Sequence, residues 1–500
     1  MRAGRRRSLA ALVVAAGIAV ALGGVPSGPA DAALPLDAVG GPLEAGFHTR
    51  SENTGISIGP DGNVYVWGAT GDGRSGTDAP QPAGPEGAWP TPVAGLPEGG
   101  MVEVTASGNA YNAIDLNGKV WGWGTDPGYR PPSGTGLGAP VYDGTVTPRD
   151  GSTCAVSAPP ALVQARESPW VPGAPLTGAV SLTSTAGATA AVTADGTVWV
   201  WGDPAYGGAQ PVLGCPGGGA YRVHLPDPAA DPGNVPVSVR GGFATFWVVL
   251  ANGDIYFWGD PARDGGSRPV GEVGGIVTYD APQRSVLSDT WSRAASPSRY
   301  IVAVDSAARM AGAVLSDGSL LTWAQSTGGV AGRLGASASG SQTPGIVPGI
   351  EGVVHLFYGT SDALLVTDDG TLYGFGQYPD SRQCLPSWPG QAIPGTACAG
   401  RVSTQVPAVL DTDVVAFHNG AAFAYWKKRV PDAAQPGGVG YEYRGIGQNA
   451  SSQLGQGAAP GTVLDPSPVE FRTGDGACDP VATPRCSLLH VIDVPGVPVG

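Results

Sequence analysis

The sequence predicts an all-β protein, a seven-bladed β-propeller whose blades are four-stranded sheets. Three observations support this prediction. A short motif recurs six times along the 500 residues, both sides of the strand inside it are apolar, and the spacing between copies leaves room for a second pair of strands. A repeat of fixed design is typical of architectures in which each unit buries its apolar surface against the next unit.

The repeated motif contains an apolar run, Asp-Gly or Asn-Gly, an apolar–aromatic alternation, and an aromatic residue followed by Gly, as in residues 190–202. Asp-Gly suits a two-residue type I′ turn, in which both central residues need a positive φ. The flanking residues are mostly β-branched or aromatic, which favours strands. Each copy therefore predicts a β-hairpin. The copies are 61–68, 117–124, 195–202, 252–259, 317–324 and 369–376.

The second strand of each hairpin is apolar on both sides. In the third copy Val198 lies on one side, and Trp199 and Trp201 lie on the other. A strand exposed on one side would instead alternate apolar with polar residues. These strands need cover on both faces, which stacking between neighbouring blades provides. We therefore predict that the aromatic residues before the final Gly are core residues, namely Trp67, Trp123, Trp201, Trp258, Trp323 and Phe375.

The spacing between hairpins leaves room for two further strands in each unit. Successive turns are separated by as few as 52 residues, from Asp317 to Asp369, and by as many as 78, from Asn117 to Asp195. A hairpin of two typical strands uses only about a dozen residues. Apolar segments upstream of the hairpins are candidates for the extra strands, at 101–104, 180–183, 237–240, 301–304, 353–356 and 414–417. Four-stranded sheets repeated in this way form a β-propeller.

A seventh, degraded unit follows the sixth hairpin. Its strands are predicted at 414–417, 422–426 and 441–447, and seven units fit a closed ring. The region before Phe47 lacks a clear outer strand. We therefore expect residues 488–494 to complete the first blade and close the circle.

The pattern resembles the RCC1-like repeat (regulator of chromosome condensation), whose family fold is a seven-bladed propeller. The Asp/Asn-Gly turn and the aromatic-Gly strand end carry the resemblance, together with a Gly-Gln-Leu-Gly-like tail that is best formed at 447–455. The resemblance covers residues 47–494, although Ala324 replaces Gly and Phe375 replaces Trp in two copies. The resemblance implies a single toroidal domain.

The N-terminus has the features of a secretory signal peptide. Basic residues at 2–7 precede an apolar run at 9–22 and an A-x-A cleavage site at 30–32. The Arg pair in the basic start is also compatible with twin-arginine export. The expected organisation is a signal peptide at 1–32 and one RCC1-like propeller with long inter-blade loop insertions at 33–500. We expect the mature chain to be secreted and to carry no membrane anchor.

The charge excludes nucleic acid as a partner. The formal net charge is −14. Cleavage after Ala32 removes four Arg and one Asp, which lowers this value to −17. Binding to nucleic acid requires cations that displace counterions from phosphates, and the only lysines are Lys119, Lys427 and Lys428. The acidity is typical of a soluble protein.

Six cysteines make an even number, and disulfides are expected in an exported protein. Six cysteines can form three disulfides in 15 ways. Proximity in sequence favours Cys384–Cys398, Cys478–Cys486 and Cys154–Cys215. A metal site is the alternative, but neither a C-x-x-C motif nor a His-Cys cluster supports it.

Long irregular stretches follow the aromatic-Gly strand ends, at 125–178, 203–236, 260–299, 377–409 and 456–487. Insertions in repeat folds gather on one face, which is often the binding face. Aromatic residues in loops are frequent interface anchors, although they also pack loops onto the scaffold. The candidate partner-binding residues are Trp170, Trp291, Trp388, Tyr129 and Tyr206.

The sequence contains no convincing catalytic constellation. There is no H-E-x-x-H or Walker A motif among its residues. We therefore expect no catalytic residues, no metal and no cofactor. Two carboxylates could still meet in the axial channel of a propeller, which the sequence alone does not reveal.

These observations indicate an exported, non-catalytic binding propeller that presents loops on one face to an extracellular protein or polysaccharide partner. The chain is expected to be a monomer. Two alternatives remain open. Some exported bacterial propellers of this type inhibit secreted β-lactamases, which makes enzyme inhibition one alternative. The other is a glycan-active enzyme, which predicts a carboxylate pair in the channel.

Overall fold

The computed structural model describes most of the repeat region and leaves out the N-terminus. All described residues lie in the unit Asp37–Gly500. The predicted signal peptide at 1–32 and all six cysteines lie outside the described residues. The described residues are 54–58, 62–68, 90–108, 110–124, 158–166, 173–203, 206–209, 219–261, 269–272, 275–306, 310–324, 342–359, 362–378, 402–420, 423–431, 438–448, 462–468 and 492–493.

The described residues form seven sheets, each of which is one blade. Blade 1 contains β1 (Thr54–Ile58), β2 (Val64–Gly68) and β3 (Thr91–Pro92). Blade 2 contains β4 (Met101–Ser107), β5 (Ala110–Asp115), β6 (Val120–Gly124) and β7 (Ala158–Leu162). Blade 3 contains β8 (Gln164–Arg166), β9 (Ala174–Pro175), β10 (Ala179–Ser184), β11 (Ala188–Thr193), β12 (Val198–Gly202) and β13 (Ala220–Arg222).

The remaining blades follow in chain order, and one short helix, α1 (Ser288–Trp291), lies between blades 4 and 5. Blade 4 contains β14 (Pro236–Gly241), β15 (Thr245–Leu250), β16 (Ile255–Gly259) and β17 (Gln283–Arg284). Blade 5 contains β18 (Ile301–Ser306), β19 (Met310–Leu315), β20 (Leu320–Ala324) and β21 (Gly345–Ile346). Blade 6 contains β22 (Val353–Tyr358), β23 (Asp362–Thr367), β24 (Leu372–Tyr378) and β25 (Val402–Asp411). Blade 7 contains β26 (Val414–Asn419), β27 (Phe423–Pro431), β28 (Val439–Gln448), β29 (Thr462–Pro468) and β30 (Ile492–Asp493).

The predicted fold class and the predicted hairpins are confirmed. Blades 2, 4, 5 and 6 are antiparallel four-stranded sheets whose strands follow one another in order. The first strands of successive blades contact each other, so they lie at the centre of the ring and the fourth strands lie at its rim. The upstream segments of the sequence are therefore inner strands.

Three blades depart from the four-stranded pattern. Blade 3 gains two strands at its rim, because β8 pairs in parallel with β13 and then with β9. Blade 1 has three strands among the described residues. The expectation that residues 488–494 complete blade 1 is wrong for the part of this segment that is described. Ile492–Asp493 instead pairs with β26, on the inner edge of blade 7.

The predicted type I′ turns are also wrong. In blade 3 the Gly196 N–H donates to the Thr193 carbonyl (2.8 Å), and the Thr193 N–H donates to the Thr197 carbonyl (2.9 Å). The loop thus has three residues, with a type I turn followed by a glycine in the left-handed region. Asp413 is the only described non-glycine with a positive φ, so Asp195 does not adopt the conformation that type I′ requires. The turn glycines have φ between 70° and 86°, and they are Gly62, Gly118, Gly196, Gly253, Gly318 and Gly370.

Four of these turns join their blade to the next one. The Gly118 carbonyl of blade 2 accepts a hydrogen bond from the N–H of Ala179, the first residue of β10 (3.0 Å). The same bond joins Gly62 to Met101, Gly318 to Val353 and Gly370 to Val414. Blade 4 begins at Pro236, which has no N–H to donate. The repeated turn is therefore an inter-blade contact as well as a hairpin loop.

A β-bulge follows each of these first residues. In six of the seven described inner strands, all except β1, the register shifts at the second residue, and that residue is valine each time. A bulge leaves the extra residue out of the ladder and re-aims its side chain. The bulged residues are Val102, Val180, Val237, Val302, Val354 and Val415.

The free edges of three inner strands are hydrogen-bonded by side chains of the preceding blade. Glu103 accepts from the Leu182 N–H (2.6 Å), and Thr183 accepts from the Gly241 N–H (2.9 Å). In the same way, the Asp305 carboxylate accepts from the N–H of Tyr358 (3.0 Å). Because an unpaired strand edge buried in the ring would be costly, these side chains help to hold the blades together.

The prediction that the repeated aromatic residues form the core is confirmed. Trp67, Trp123, Trp201, Trp258, Trp323 and Phe375 are at most 1% exposed. Trp258 stacks on Phe246 with ring centroids 5.0 Å apart. Its indole N–H donates to the Gly207 carbonyl of blade 3 (2.9 Å). Each aromatic residue of this kind packs its own blade against a neighbour.

The glycine after the aromatic residue is required at most, but not all, of these positions. Gly259 has φ 121°, and a Cβ atom there would lie 2.2 Å from the Ala244 carbonyl oxygen. Gly259→Ala is expected to lower the free energy of unfolding by at least about 2 kcal/mol. Ala324 occupies the equivalent place in blade 5 without a positive φ. Ala324→Gly is therefore the matched control, with an expected loss of about 0.5–1 kcal/mol. Equal urea midpoints for the two variants would contradict this account.

Candidate interaction surface

The meander of each blade places its loops on two opposite faces of the ring. We define the turn face as the face that carries the Asp/Asn-Gly turns, such as Asp195–Gly196, and the starts of the inner strands. We define the loop face as the face that carries the turns between first and second strands, such as 185–187, and the ends of the third strands. Hydrogen bonds join equivalent elements of neighbouring blades on both faces, as Gly118 to Ala179 and Ala186 to Phe243 show.

Tyr206, one of the predicted binding residues, lies on the loop face and packs against the scaffold. Its ring contacts Phe243 edge-on with centroids 5.8 Å apart. Its carbonyl accepts a hydrogen bond from the Thr185 hydroxyl (2.7 Å). A Cβ atom on Gly187 would lie 2.6 Å from the Tyr206 ring. These contacts hold the loop of blade 3 against its own first turn.

Trp291, another predicted binding residue, lies on the opposite face. It ends α1, in the segment 285–300 between β17 and β18, which we call the connector. The Ser288 hydroxyl of α1 hydrogen-bonds both the N–H (2.8 Å) and the carbonyl (3.2 Å) of Ile255, next to the turn at Gly253. Trp291 is half-buried against the core of blades 3 to 5. Tyr206 and Trp291 therefore lie on opposite faces of the ring.

Arg293 and Tyr300 lie in the same connector as Trp291. The guanidinium carbon of Arg293 lies 5.7 Å from the centroid of the Tyr300 ring. Arg293 is exposed and Tyr300 is half-buried. The backbone of Tyr300 is fixed, because its N–H donates to the Ser316 hydroxyl (3.2 Å) and its carbonyl accepts from the Ser316 N–H (2.8 Å). A Trp, an Arg and a Tyr on a fixed segment are the residue types that dominate binding energy at interfaces.

The other two arginines of this region are paired with carboxylates. Arg284 contacts Asp254 (2.9 Å) and Asp289 (2.6 Å), and the hydrogen bond to Asp289 raises the pKa of its guanidinium. Arg299 contacts Asp317 in the turn of blade 5 (2.5 Å). These exposed pairs contribute little to stability, but they fix the edges of the connector.

Three exposed apolar residues lie on the turn face of blades 2 and 3. Leu116 is 63% exposed, Val180 is 48% exposed and Val102 is 41% exposed. They make up half of the six large exposed hydrophobic residues found in the described part of the chain. Leu116 lies two residues before Gly118, whose carbonyl binds Ala179 beside Val180. These three residues are not among the candidate binding residues, although a valine at the first or second position of each upstream segment was a visible signal.

The turn face is also acidic. Partial burial raises the pKa of Asp195, but hydrogen bonds from the Thr193 hydroxyl and the Thr197 N–H outweigh it and hold the pKa below its usual value. A hydrogen bond from the Thr367 hydroxyl lowers the pKa of Asp369 in the same way. These turn carboxylates are therefore ionised at neutral pH and make this face negatively charged.

The inner strands contain two buried carboxyl groups, which bear on the predicted enzyme alternative. Glu103 is 2% exposed and Asp305 is 1% exposed, and each accepts a backbone hydrogen bond from the following blade. Burial raises the pKa of Glu103 to about 8, against the opposing hydrogen bonds of Leu182 and Ser181. These contacts assign both groups to the junctions between blades. In the described residues no group of three or more His, Cys, Asp or Glu is placed to hold a metal ion.

The other predicted site residues lie outside the part of the chain that the structure describes. They are Trp170, Trp388 and Tyr129, and the cysteines Cys154, Cys215, Cys384, Cys398, Cys478 and Cys486. Their roles in partner binding and in disulfide bonds remain predictions.

Comparisons with known proteins give a likeness in structure. Yeast RCC1 (Prp20), solved bound to Kap60, matches with 16% identity and a TM-score of 0.57, over 91% of this chain and 92% of that one. Prp20p from Saccharomyces cerevisiae, reported with its binding properties to Gsp1p and histones, matches with 15% identity and a TM-score of 0.56, over 84% and 88%. Human WBSCR16 matches with 15% identity and a TM-score of 0.53, over 81% and 93%.

No protein-family model and no curated protein matches the sequence. At 15–16% identity the structural matches establish the architecture and leave the partner open. They confirm the fold that the repeat motif predicts. The chain therefore has the fold of a seven-bladed RCC1-like β-propeller.

Proposed function

We propose that this protein is an exported binding propeller that engages a macromolecular partner through its turn face. The observation that carries the proposal is the presence of Trp291, Arg293 and Tyr300 on a fixed connector of that face, which also carries the exposed apolar residues Leu116 and Val180. Aromatic and arginine anchors beside exposed apolar surface are typical of interaction sites. The architecture supports a binding role, since the solved Prp20 structures describe complexes and binding properties with other proteins.

Export is the second part of the proposal. The basic start, apolar run and A-x-A site at 1–32 support it. Among the described residues, no helix is long and apolar enough to cross a membrane. An extracellular protein is the favoured class of partner, with a polysaccharide as the alternative. Fractionation of the producing cells tests this part, because the proposal requires the chain in the medium with a mature N-terminus near Ala33.

The turn face is tested by capturing partners from the culture medium with the purified protein and comparing variants. Leu116→Asp and Trp291→Ala are each expected to weaken binding of the captured molecule at least tenfold, because both remove apolar contact area from the turn face. Ile276→Asp is the matched control. Ile276 is also exposed (61%), but it lies in the rim loop of blade 4.

Melting temperatures measured beside the affinities separate binding from folding. Trp291 also packs on the core, so its replacement is expected to lower the melting temperature, whereas Leu116→Asp is not. Unchanged affinity in Leu116→Asp and Trp291→Ala, together with a loss in Ile276→Asp, would move the site to the rim and refute the turn-face proposal.

A further inference from the structure

Arg293 differs from the two arginines beside it in how its charge is held. Arg284 and Arg299 each pair with at least one aspartate. Within the described part of the chain, no carboxylate lies within ion-pair distance of Arg293, and its contact is with the Tyr300 ring. The connector thus presents an exposed cation whose charge is available to a partner.

The contact with Tyr300 leaves Arg293 able to bind an anion. The face of a guanidinium is attracted to the electrons of an aromatic ring below it. The N–H groups at its edge stay free, and their planar fork matches the two oxygens of a carboxylate. The contact with the Tyr300 ring already restricts the Arg293 side chain, so binding orders less of it.

Trp291 adds an apolar surface close to this cation. It precedes Arg293 by two residues and is half-buried at the end of α1, which the hydrogen bonds of Ser288 fix to blade 4. A ligand group that reaches Arg293 meets the Tyr300 ring, and the partly exposed indole of Trp291 lies on the same connector. This combination suits an apolar group with a carboxylate attached to it or next to it.

The charges around the connector restrict the source of that carboxylate. The Asp289 side chain is 68% exposed, Asp317 lies beside the connector, and the whole chain has a net charge of −14. A polyanion such as an acidic polysaccharide would be repelled by this field. A basic or neutral protein surface with a single carboxylate would fit better. Its carboxylate would pair with Arg293, and its basic residues would lie opposite the aspartates.

We propose that Trp291, Arg293 and Tyr300 recognise a carboxylate next to an apolar side chain on a protein partner. This inference rests on the proposed function of the turn face, because it names the chemistry of the partner that binds there. It does not depend on the apolar residues of blades 2 and 3.

Benzoate is the probe, because it joins an aromatic ring to a carboxylate, and benzamide is its neutral counterpart. Binding to the purified protein is measured by ligand-observed NMR titration. Benzoate is expected to bind at least tenfold more tightly than benzamide. Arg293→Gln is expected to remove this difference. Arg299→Gln, which changes an arginine already paired with Asp317, is expected to keep benzoate affinity within twofold of the unmodified protein.

Two results would overturn the inference. Equal binding of benzoate and benzamide, or unchanged benzoate binding in Arg293→Gln, would show that Arg293 does not recognise a carboxylate. If alginate, a polyuronate, binds more tightly than benzoate and loses this binding in Arg293→Gln, the partner is a polysaccharide and the protein-partner inference is wrong. If benzoate fails while Leu116→Asp still abolishes partner capture, the carboxylate assignment falls alone and the turn-face function stands.

Discussion

Replacing Trp258 with alanine is expected to lower the free energy of unfolding by about 3–5 kcal/mol. Trp258 is fully buried, stacks on Phe246 and belongs to the core that joins blades 3, 4 and 5. Its removal leaves a cavity and also deprives the Gly207 carbonyl of the indole N–H. Urea denaturation followed by circular dichroism measures the loss.

Trp258→Phe separates packing from hydrogen bonding at this position. The phenyl ring still packs on Phe246, but it cannot donate to the Gly207 carbonyl. A loss of about 1–2 kcal/mol is expected, since one buried acceptor loses its partner and the smaller ring fills less volume. If the alanine variant unfolds within about 1 kcal/mol of the unmodified protein, Trp258 does not join the blades as described.

Glu103→Gln is expected to change how stability depends on pH. Burial raises the pKa of Glu103 to about 8 in the folded protein, from an ordinary value of 4.5. Between these values the unfolded chain releases a proton that the folded chain retains. The contribution of Glu103 to stability is therefore full below pH 4.5 and is lost as the pH rises to 8. Glutamine keeps the acceptor for the Leu182 N–H and does not titrate.

The variant and the unmodified protein should thus have similar stability near pH 5. Near pH 9 the glutamine variant should be more stable by about 3–5 kcal/mol. Glu103→Ala is the control. It also removes the titration, but it leaves the Leu182 N–H without its acceptor, so it should be less stable than the glutamine variant at every pH. Parallel stability–pH curves for the unmodified and glutamine proteins would show that Glu103 is ionised in the folded state.

The sequence predicts the repeated part of the fold and misses what each blade adds to it. Asp-Gly and aromatic-Gly recur in register, so the hairpins and the buried tryptophans could be found. The predicted turn type is wrong, because the Asp195 carboxylate accepts hydrogen bonds from the Thr193 hydroxyl and the Thr197 N–H within its own loop. Strand β8 could not be found, because its parallel pairing with β13 depends on two insertions meeting at the rim.

The candidate surface was predictable in its composition and unpredictable in its position. Trp291 stands out in the sequence because it lies outside the repeat motif. The insertion 260–299, however, passes through β17 and so contributes residues to both faces of the ring. Sequence spacing does not show this. The contact between Arg293 and Tyr300 depends on the path of the connector past Gly253, where a Cβ atom would lie 2.2 Å from the Arg293 backbone nitrogen.

The bonds across the inner strands have a consequence for how far the repeats can diverge. In the bonds that Glu103, Thr183 and Asp305 accept, the donor is a peptide N–H, which every residue except proline has, so the neighbouring blade must supply only an oxygen at the right height. Glu103, Thr183 and Asp305 meet this need with three different side chains. Blades can therefore accumulate substitutions near the axis independently of one another, provided that each retains one oxygen-bearing group there.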